Sequence, residues 1–386
     1  MTLTIRQTNV PTADGVYTVR AKGCIAAALY WANESGRLDC WSSLAVIPLS
    51  PKGVGEFVFR GSRAIPREAT HIRAEAVRAD FGTREEIQVP LPNLPRMRTG
   101  ENDLRCTVFS DLHFSAKPWT VRAALRMAAD SDCILLTGDM TNDGTPAQFA
   151  GFYEMLTELL PDKPVFAVTG NHDFPHDPIP RVSDGIDCYP GLQDALLRNA
   201  RRLGWQVEQD NSGAYAAMRD GTEIIGLNAV SHWRRFVFRD GEQLAWLEHH
   251  LENSAARRHI LLCHAPLLRH NPAHSPTAQP YLSRDRELQN IADRHRNILF
   301  LSGHTHLSLN CPGGCAEQDE NGNIFLNAGS TCPTALKPEE TLQPPEWTDG
   351  NGAELLLGED YAEITGFSVR DQTRISRGYY RFPLCE

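Results

Sequence analysis

Apolar positions follow two different rhythms along the chain. Up to about residue 90 they come in short segments, Tyr17–Ala21, Ala27–Trp31, Glu56–Phe59, His71–Val77 and Glu86–Val89, separated by Gly, Pro, Asn and Asp. His71–Val77 alternates apolar with polar, as a strand with one solvated face does. Short strands spaced by turn residues predict an antiparallel β-sandwich. Leu91-Pro92-Asn93-Leu94-Pro95 cannot pair in a sheet and Arg96–Asp103 is polar, so a linker is expected over residues 91–103. Residues 1–95 are therefore read as one domain and 103–386 as another.

After residue 103 strands and helices alternate. Arg105–Ser110, Cys133–Thr137 and Val165–Thr169 read as strands, and Trp119–Ala129 and Pro146–Leu160 as helices between and after them. This order predicts an α/β fold with helices on both faces of a sheet. Tyr215–Arg219 and Thr222–Asn228 flank Asp220-Gly221, a hairpin signal. Helix Glu242–Asn253 leads to strand His259–Cys263, and helix Asp285–Arg294 to strand Ile298–Leu301. Tyr361–Asp371 and Thr373–Pro383 read as a closing hairpin.

Composition narrows the function. Hydrophobic residues make up 41% of 386 and charged residues 22%, enough apolar material for two cores. No apolar run approaches the ~20 residues of a membrane helix, so no membrane association is expected. A formal charge of −10 has the wrong sign for general nucleic-acid binding. Met1–Val10 lacks the apolar core of a secretory signal, which points to a reducing, cytoplasmic setting for the ten cysteines. Cys311 and Cys315, with Cys332 beyond, are spaced unlike a zinc knuckle, and Pro312-Gly313-Gly314 reads as a turn.

The chemistry gathers where strands end. Five apolar segments each terminate in a polar cluster: Ser110-Asp111-Leu112-His113, Gly138-Asp139, Gly170-Asn171-His172-Asp173, His264, and Gly303-His304-Thr305-His306. Ligands of open α/β sheets bind outside the carboxyl ends of the strands, so all five should converge on one crevice. Asp-x-His arises by chance roughly once per one or two chains, but Gly-Asn-His-Asp only in roughly one of several hundred. Together and in this order they are not coincidence. Carboxylates, imidazoles and an amide oxygen form a mixed set for first-row divalent or trivalent ions, and there are enough donors for two. A carboxylate such as Asp139 can bridge a metal pair that lowers the pKa of a bound water and so supplies hydroxide as nucleophile.

The five motifs in this order resemble those of the calcineurin-like metallophosphoesterase superfamily, over roughly residues 103–335. The resemblance implies an αββα sandwich completed by the C-terminal hairpins. It implies that Asp111, His113 and His306 hold one metal, that Asp139 bridges, and that Asn171, His264 and His304 complete the second site. Two divalent or trivalent ions (Mn, Fe or Zn) are its implied cofactors. His172 would stabilise charge on the phosphate and protonate the leaving oxygen, with Asp173 orienting it. The first ninety residues resemble a fibronectin type III or immunoglobulin-like domain.

Departures from particular branches guide the substrate class. Purple acid phosphatases carry a tyrosine where this chain has Asn142 and lack the histidine present here as His113. Protein phosphatases carry Asp-Arg-Gly and an Arg before Gly-Asn-His-Glu, where this chain has Met140-Thr141-Asn142 and Thr169. The Gly138–Gly144 run is similar to bacterial small-substrate phosphoesterases. A phosphodiesterase on a small phosphorylated substrate is therefore expected, with a phosphomonoesterase as the alternative and a non-catalytic scaffold as the alternative of another class. Arg181, His232 and Arg269 lie on loops where substrate contacts belong. His249, His250, His259 and His295, on or beside predicted helices, read as solvated surface. Trp246 and Cys263 read as core.

Overall fold

The computed structural model describes residues 1–7, 15–38, 43–59, 69–80, 84–91, 103–174, 188–232, 235–238, 242–270, 281–306, 308–309, 315–332, 350–370 and 374–384. The expected linker falls almost wholly outside them, from residue 92 to 102, as do Arg181 and Cys311. The chain divides into two compact units, Met1–Thr99 with Tyr379–Arg381, and Gly100–Gly378 with Phe382–Glu386.

The first unit is built of strands. Thr2–Gln7, Gly15–Arg20 and Val54–Phe59 form one antiparallel sheet. Cys24–Asn33, His71–Arg78 and Arg84–Pro90 form the other, with Gly36–Arg37 and Ala45–Pro48 also pairing to Cys24–Asn33. The alternation in His71–Arg78 sends Ile72, Ala74 and Ala76 inward. There they meet Tyr17 and Val19 of the first sheet in one core.

The second unit is a four-layer α/β/β/α arrangement. One sheet runs Val165–Ala167, Cys133–Leu136, Leu104–Phe109, Asn351–Leu357, Tyr361–Ser368, Arg374–Pro383, with its first three strands parallel. The other runs Gln206–Gln209, Tyr215–Arg219, Thr222–Gly226, Arg258–Leu262, Ile298–Ser302, Ile324–Asn327, Ala316–Gln318, with four parallel strands at its centre. These parallel strands are mostly apolar because both their faces are covered. Helices α1 (Pro118–Met127), α2 (Pro146–Leu159) and α3 (Tyr189–Arg202) pack on the first sheet around Phe109, Leu125 and Phe152. Helices α4 (Gln243–Asn253) and α5 (Asp285–Arg294) pack on the second around Leu247, Leu288 and Phe300. No helix among the described residues is long and apolar enough to cross a membrane.

Local chemistry accounts for the boundaries. Thr145 caps α2 by accepting from the Gln148 N–H, and Pro146 follows at the first turn, where a missing N–H is harmless. Asp220 and Gly221 both adopt positive φ, 51° and 76°, as a two-residue hairpin turn requires. α3 has no counterpart in the sequence reading, since Tyr189-Pro190-Gly191 resembles a loop more than a helix start. Cys263 turns into the helix-covered core, as strand alternation demands.

Two histidines correct the surface reading. His250 Nε2 lies 2.9 Å from Glu223 Oε1, and His259 Nδ1 lies 3.0 Å from Glu223 Oε2, with both His259 and Glu223 buried. Ser254 Oγ donates to the same carboxylate at 2.9 Å. Burial pushes the Glu223 carboxyl up, but the bonds from His250 and His259 outweigh it and hold it at about 2, below its ordinary 4.5. The bond to Glu223 in turn raises His250 above 6.5. A depressed carboxylate adds stability above its unfolded value and loses it as pH falls through its folded value. A raised histidine adds stability below its unfolded value and loses it as pH rises through its folded one. The stability difference between the wild type and Glu223→Gln should therefore peak between pH 4.5 and 6.5 and shrink on both sides. Thermal midpoints across pH check this, and a difference that is flat with pH refutes it.

Candidate metal centre

All five polar clusters lie at the carboxyl ends of parallel strands, three in the first sheet and two in the second. Backbone bonds lace the loops together. Asp111 N donates to Gly138 O and His113 N to Asp139 O, each at 3.0 Å, and Gly303 N donates to His264 O at 2.9 Å. The loops turn sharply: Asp111, His113, Asp139, His304 and His306 have φ of 52°, 43°, 52°, 70° and 53°. Left-handed backbone costs a non-glycine residue about 1–2 kcal/mol, and such strain concentrates where the surrounding structure over-determines it.

Glycines are required beside the turns. A Cβ at Gly138 would lie 2.5 Å from His264 Nδ1, at Gly170 2.1 Å from Asp139 Oδ1, and at Gly303 1.6 Å from Ser110 Oγ. The backbone of each motif thus sits directly against a side chain of another.

Donor atoms of Asp111, His113, Asp139 and His306 all lie within 4.8 Å of one another. His306 Nε2 is 2.9 Å from Asp111 Oδ1 and 3.4 Å from His113 Nε2. Asp139 Oδ2 stands 3.9 Å from His113 Nε2 and 3.3 Å from His264 Nε2. On the far side, the His264 and His304 rings are 5.3 Å apart, and His304 Nδ1 is 3.2 Å from Asn171 Oδ1. One chain of contacts therefore joins all seven expected ligands.

Their buried atoms fit a cation. Asp111 Oδ1, Asp139 Oδ2 and His264 Nε2 are buried without a hydrogen-bond partner among the described residues. Unsatisfied buried polar atoms are rare, and here they face one another. His264 Nδ1 lies 2.7 Å from Thr137 O, a pure acceptor, so Nδ1 carries a proton and Nε2 is the nitrogen turned toward the two carboxylates. The other oxygens of the aspartates are fixed. Asp139 Oδ1 accepts from His172 N at 2.7 Å, and Asp111 Oδ2 from His304 N at 3.0 Å and Ser110 Oγ at 2.6 Å.

Burial pushes Asp111 up, but His306 and His264 outweigh it and leave the carboxyl at about 2. Asp139 is likewise driven down against burial, chiefly by His264. His264 rises to about 9 because Asp139 and Asp111 overcome its burial. Burial instead dominates at His113, lowered to about 4, and at His304, lowered to about 3. The aspartates are thus anionic in a dry site, and their neighbours supply the compensating charge.

The remaining residues divide. The His172 ring stands edge-on to His113 at 4.7 Å, and its Nδ1 is 2.8 Å from Asn142 O. Asp173, expected to orient His172, accepts instead from Thr141 N, Thr141 Oγ1 and Gly170 N, clamping two motif loops together. His232 ends strand Ala229–His232, and its side chain lies outside the described residues. Arg269 is exposed, with Nη1 3.2 Å from Asp293 Oδ2.

Two contributors had no motif. Phe236 is buried edge-on against His264 and His304, with ring centroids at 5.4 and 4.7 Å. Asn327 accepts from Thr305 Oγ1 and donates to Gly303 O, shaping the Gly303–His306 turn. Asn327 closes an apolar strand as the five clusters do, a signal that could have marked it.

The profile of the calcineurin-like phosphoesterase family matches residues 104–308. A probable glycerophosphodiester phosphodiesterase of Arcobacter nitrofigilis is 25% identical over 176 residues, 45% of this chain and 56% of that protein. A 3′,5′-cyclic adenosine monophosphate phosphodiesterase of Escherichia coli K12 is 29% identical over 209 residues, 52% and 61% of the two chains. This chain thus spans less than two thirds of either relative. Among solved structures, a phosphoesterase from E. coli aligns at 17% identity and a TM-score of 0.30, covering 70% of this chain and 97% of its own.

The packing at Gly170 generates a prediction. Gly170→Ala must displace Asp139, so it should cost about 1–3 kcal/mol of stability and lower metal content per chain. Gly191→Ala, on α3 with nothing within 4 Å of its Cβ, should leave metal content unchanged and keep or raise stability by up to about 1 kcal/mol. Denaturant titration and elemental analysis of both variants decide it. Equal behaviour of the two refutes the steric argument.

Proposed function

Because the chain belongs to the calcineurin-like phosphoesterase family, we propose that it is a dinuclear-metal phosphodiesterase acting on a small phosphorylated substrate. The observation that carries this reading is Asp139 Oδ2, buried and unpartnered between His264 Nε2 at 3.3 Å and His113 Nε2 at 3.9 Å. One carboxylate oxygen between two sets of donors suits a bridging role. Asp111, His113 and His306 would hold one ion and Asn171, His264 and His304 the other. Mn, Fe and Zn all suit these donors. Bound ions would supply positive charge to a phosphoryl group and lower the pKa of water toward neutrality.

The chain's own groups do the rest. Asn142 O holds a proton of His172 on Nδ1, which leaves Nε2 as the nitrogen that meets substrate and, in the doubly protonated imidazolium, passes its own proton to a departing oxygen. Burial of the site strengthens every charge interaction with an anionic substrate. Phe236 closes one wall and excludes water beside His264 and His304.

A diester suits the charge balance. No Lys or Arg occurs within Ser110–Phe114, Gly138–Gly144 or Gly303–Asn310, and the Arg269 guanidinium is engaged by Asp293. A dianionic monoester calls for additional cationic clamps. The names of the two relatives support the same class. A reducing, cytoplasmic setting belongs to this proposal.

Asp139→Asn should take the content of this centre from about two ions toward zero. His172→Ala should keep the metal and lose turnover about 10²–10⁴-fold, as for a positioned acid–base group. Retention of both of the centre's ions in Asp139→Asn sinks the bridging role, and loss of metal from this centre in His172→Ala sinks the acid role. With Mn²⁺ supplied, bis(p-nitrophenyl) phosphate should be cleaved and p-nitrophenyl phosphate should not exceed it in kcat/KM. A preference for the monoester of about tenfold, ~1.4 kcal/mol, makes the protein a phosphomonoesterase. No turnover of either leaves a scaffold.

A further inference from the structure

A second cluster of metal-type donors lies behind the second sheet and shares no residue with the centre around Asp139. Its members are His270, Asp293 and Asp319, whose donor atoms also fall within 4.8 Å of one another. They come from three segments. His270 ends the short turn Leu268–His270 that follows the His264 loop, Asp293 lies on α5, and Asp319 begins the turn between Ala316–Gln318 and Ile324–Asn327.

The imidazole is rigidly presented. It lies flat on Phe325, with ring centroids 3.6 Å apart and planes within 3°. Its Nδ1 is 3.0 Å from Glu317 Oε1. A carboxylate only accepts, so Nδ1 carries the proton and Nε2 offers a lone pair. A carboxylate behind the outward nitrogen is how metal-binding histidines are usually oriented.

What faces that lone pair is the amide of Gln289, one helical turn before Asp293 on α5. Gln289 Nε2 lies 3.0 Å from His270 Nε2 and donates to Asp293 Oδ1 at 2.8 Å. A single neutral amide thus supplies the hydrogens that separate an imidazole lone pair from a carboxylate. Gln289 is only 6% exposed, and its Oε1 has no hydrogen-bond partner among the described residues. Turning this amide over would set Oε1 among the other donors. That arrangement is repulsive alone and favourable around a cation.

Charge points the same way. The Asp293, Asp319 and Glu317 carboxylates are offset by one guanidinium, Arg269 on Asp293, leaving a formal −2. Asp319 is held in place by Asn321 N and Asn323 N on Oδ1 and by Asn323 Nδ2 on Oδ2, bonds that leave a lone pair free on Oδ2. Two donors on opposite sides of one first-row ion, each ~2.0–2.2 Å from it, stand about 4–4.4 Å apart. The spacing of this cluster accommodates that.

We propose that His270, Asp293 and Asp319, joined by Gln289 through its amide oxygen, bind one divalent cation of the Mn²⁺ type. One nitrogen and three oxygens favour a borderline-hard ion. The ion clips together the turn after His264, the helix that precedes the His304 strand and the hairpin beyond it. It acts by holding these segments, and no step of phosphoester chemistry involves it.

The test uses the full-length protein, stripped with chelator and reloaded with Mn²⁺. Asp319→Asn keeps the turn's acceptor oxygen but removes the charge. It should bind about one ion fewer per chain than the wild type by equilibrium dialysis, and Mn²⁺ should raise its thermal midpoint less. His270→Gln should lose the same ion, whereas Asp139→Asn should keep it. Crystals of the wild type soaked in MnCl₂ provide a check free of folding effects. Anomalous density between His270, Asp293 and Asp319 supports the site. Its absence, or unchanged stoichiometry in a folded Asp319→Asn, overturns it. Neither result depends on whether the Asp139 centre is catalytic.

Discussion

Two aspartates share a dry interior, and the second unit is organised around making that tolerable. Asp111 and Asp139 are fully buried, and each points an oxygen toward His264 Nε2, at 4.0 and 3.3 Å. Desolvating such charges is penalised by several kcal/mol per ion unless opposite charge and hydrogen bonds surround them. Backbone N–H groups of His172 and His304 satisfy the outer oxygens, and histidines crowd the inner ones. The close glycines and left-handed turns follow from this. Only a sharply folded backbone without Cβ atoms brings so many donors to one point.

Around that point, neutral amides make the joints. Asn228 Oδ1 accepts from Thr169 N just before the Gly170 loop, and its Nδ2 donates to Gly213 O on the other sheet's side. Gln243 closes a reciprocal pair of bonds with the Asn228 backbone. Asn327 plays the corresponding part for the Gly303–His306 turn. Asp173 is the exception, a buried carboxyl used as a clamp. Burial and Asp139 push it up to about 6 despite the backbone donors it collects.

The centre was legible in the sequence because its signals are local. An apolar run that stops abruptly at Gly-Asn-His-Asp announces both a strand end and a cluster of candidate ligands. Asp220-Gly221 announced its hairpin for a similar reason, since positive φ is written in residue type. Contacts made across the fold left no such trace. His250 and His259 looked solvated because Glu223, their partner, is 27 and 36 residues away. Phe236 is one apolar residue among many until the fold sets it against two histidines. α3 was hidden by a proline and a glycine that its first turn accommodates.

The five loops also fix when the centre can exist. His113 and His306 meet across 193 residues, and the donors between them come from both sheets. Contacts of such separation require large loops to close, and their entropy is lost before the contacts form. Neither sheet carries a complete donor set by itself. A chain emerging from the ribosome therefore does not bring these donors together until residue 306 has docked, so that their convergence is a late event and a report that both halves have assembled.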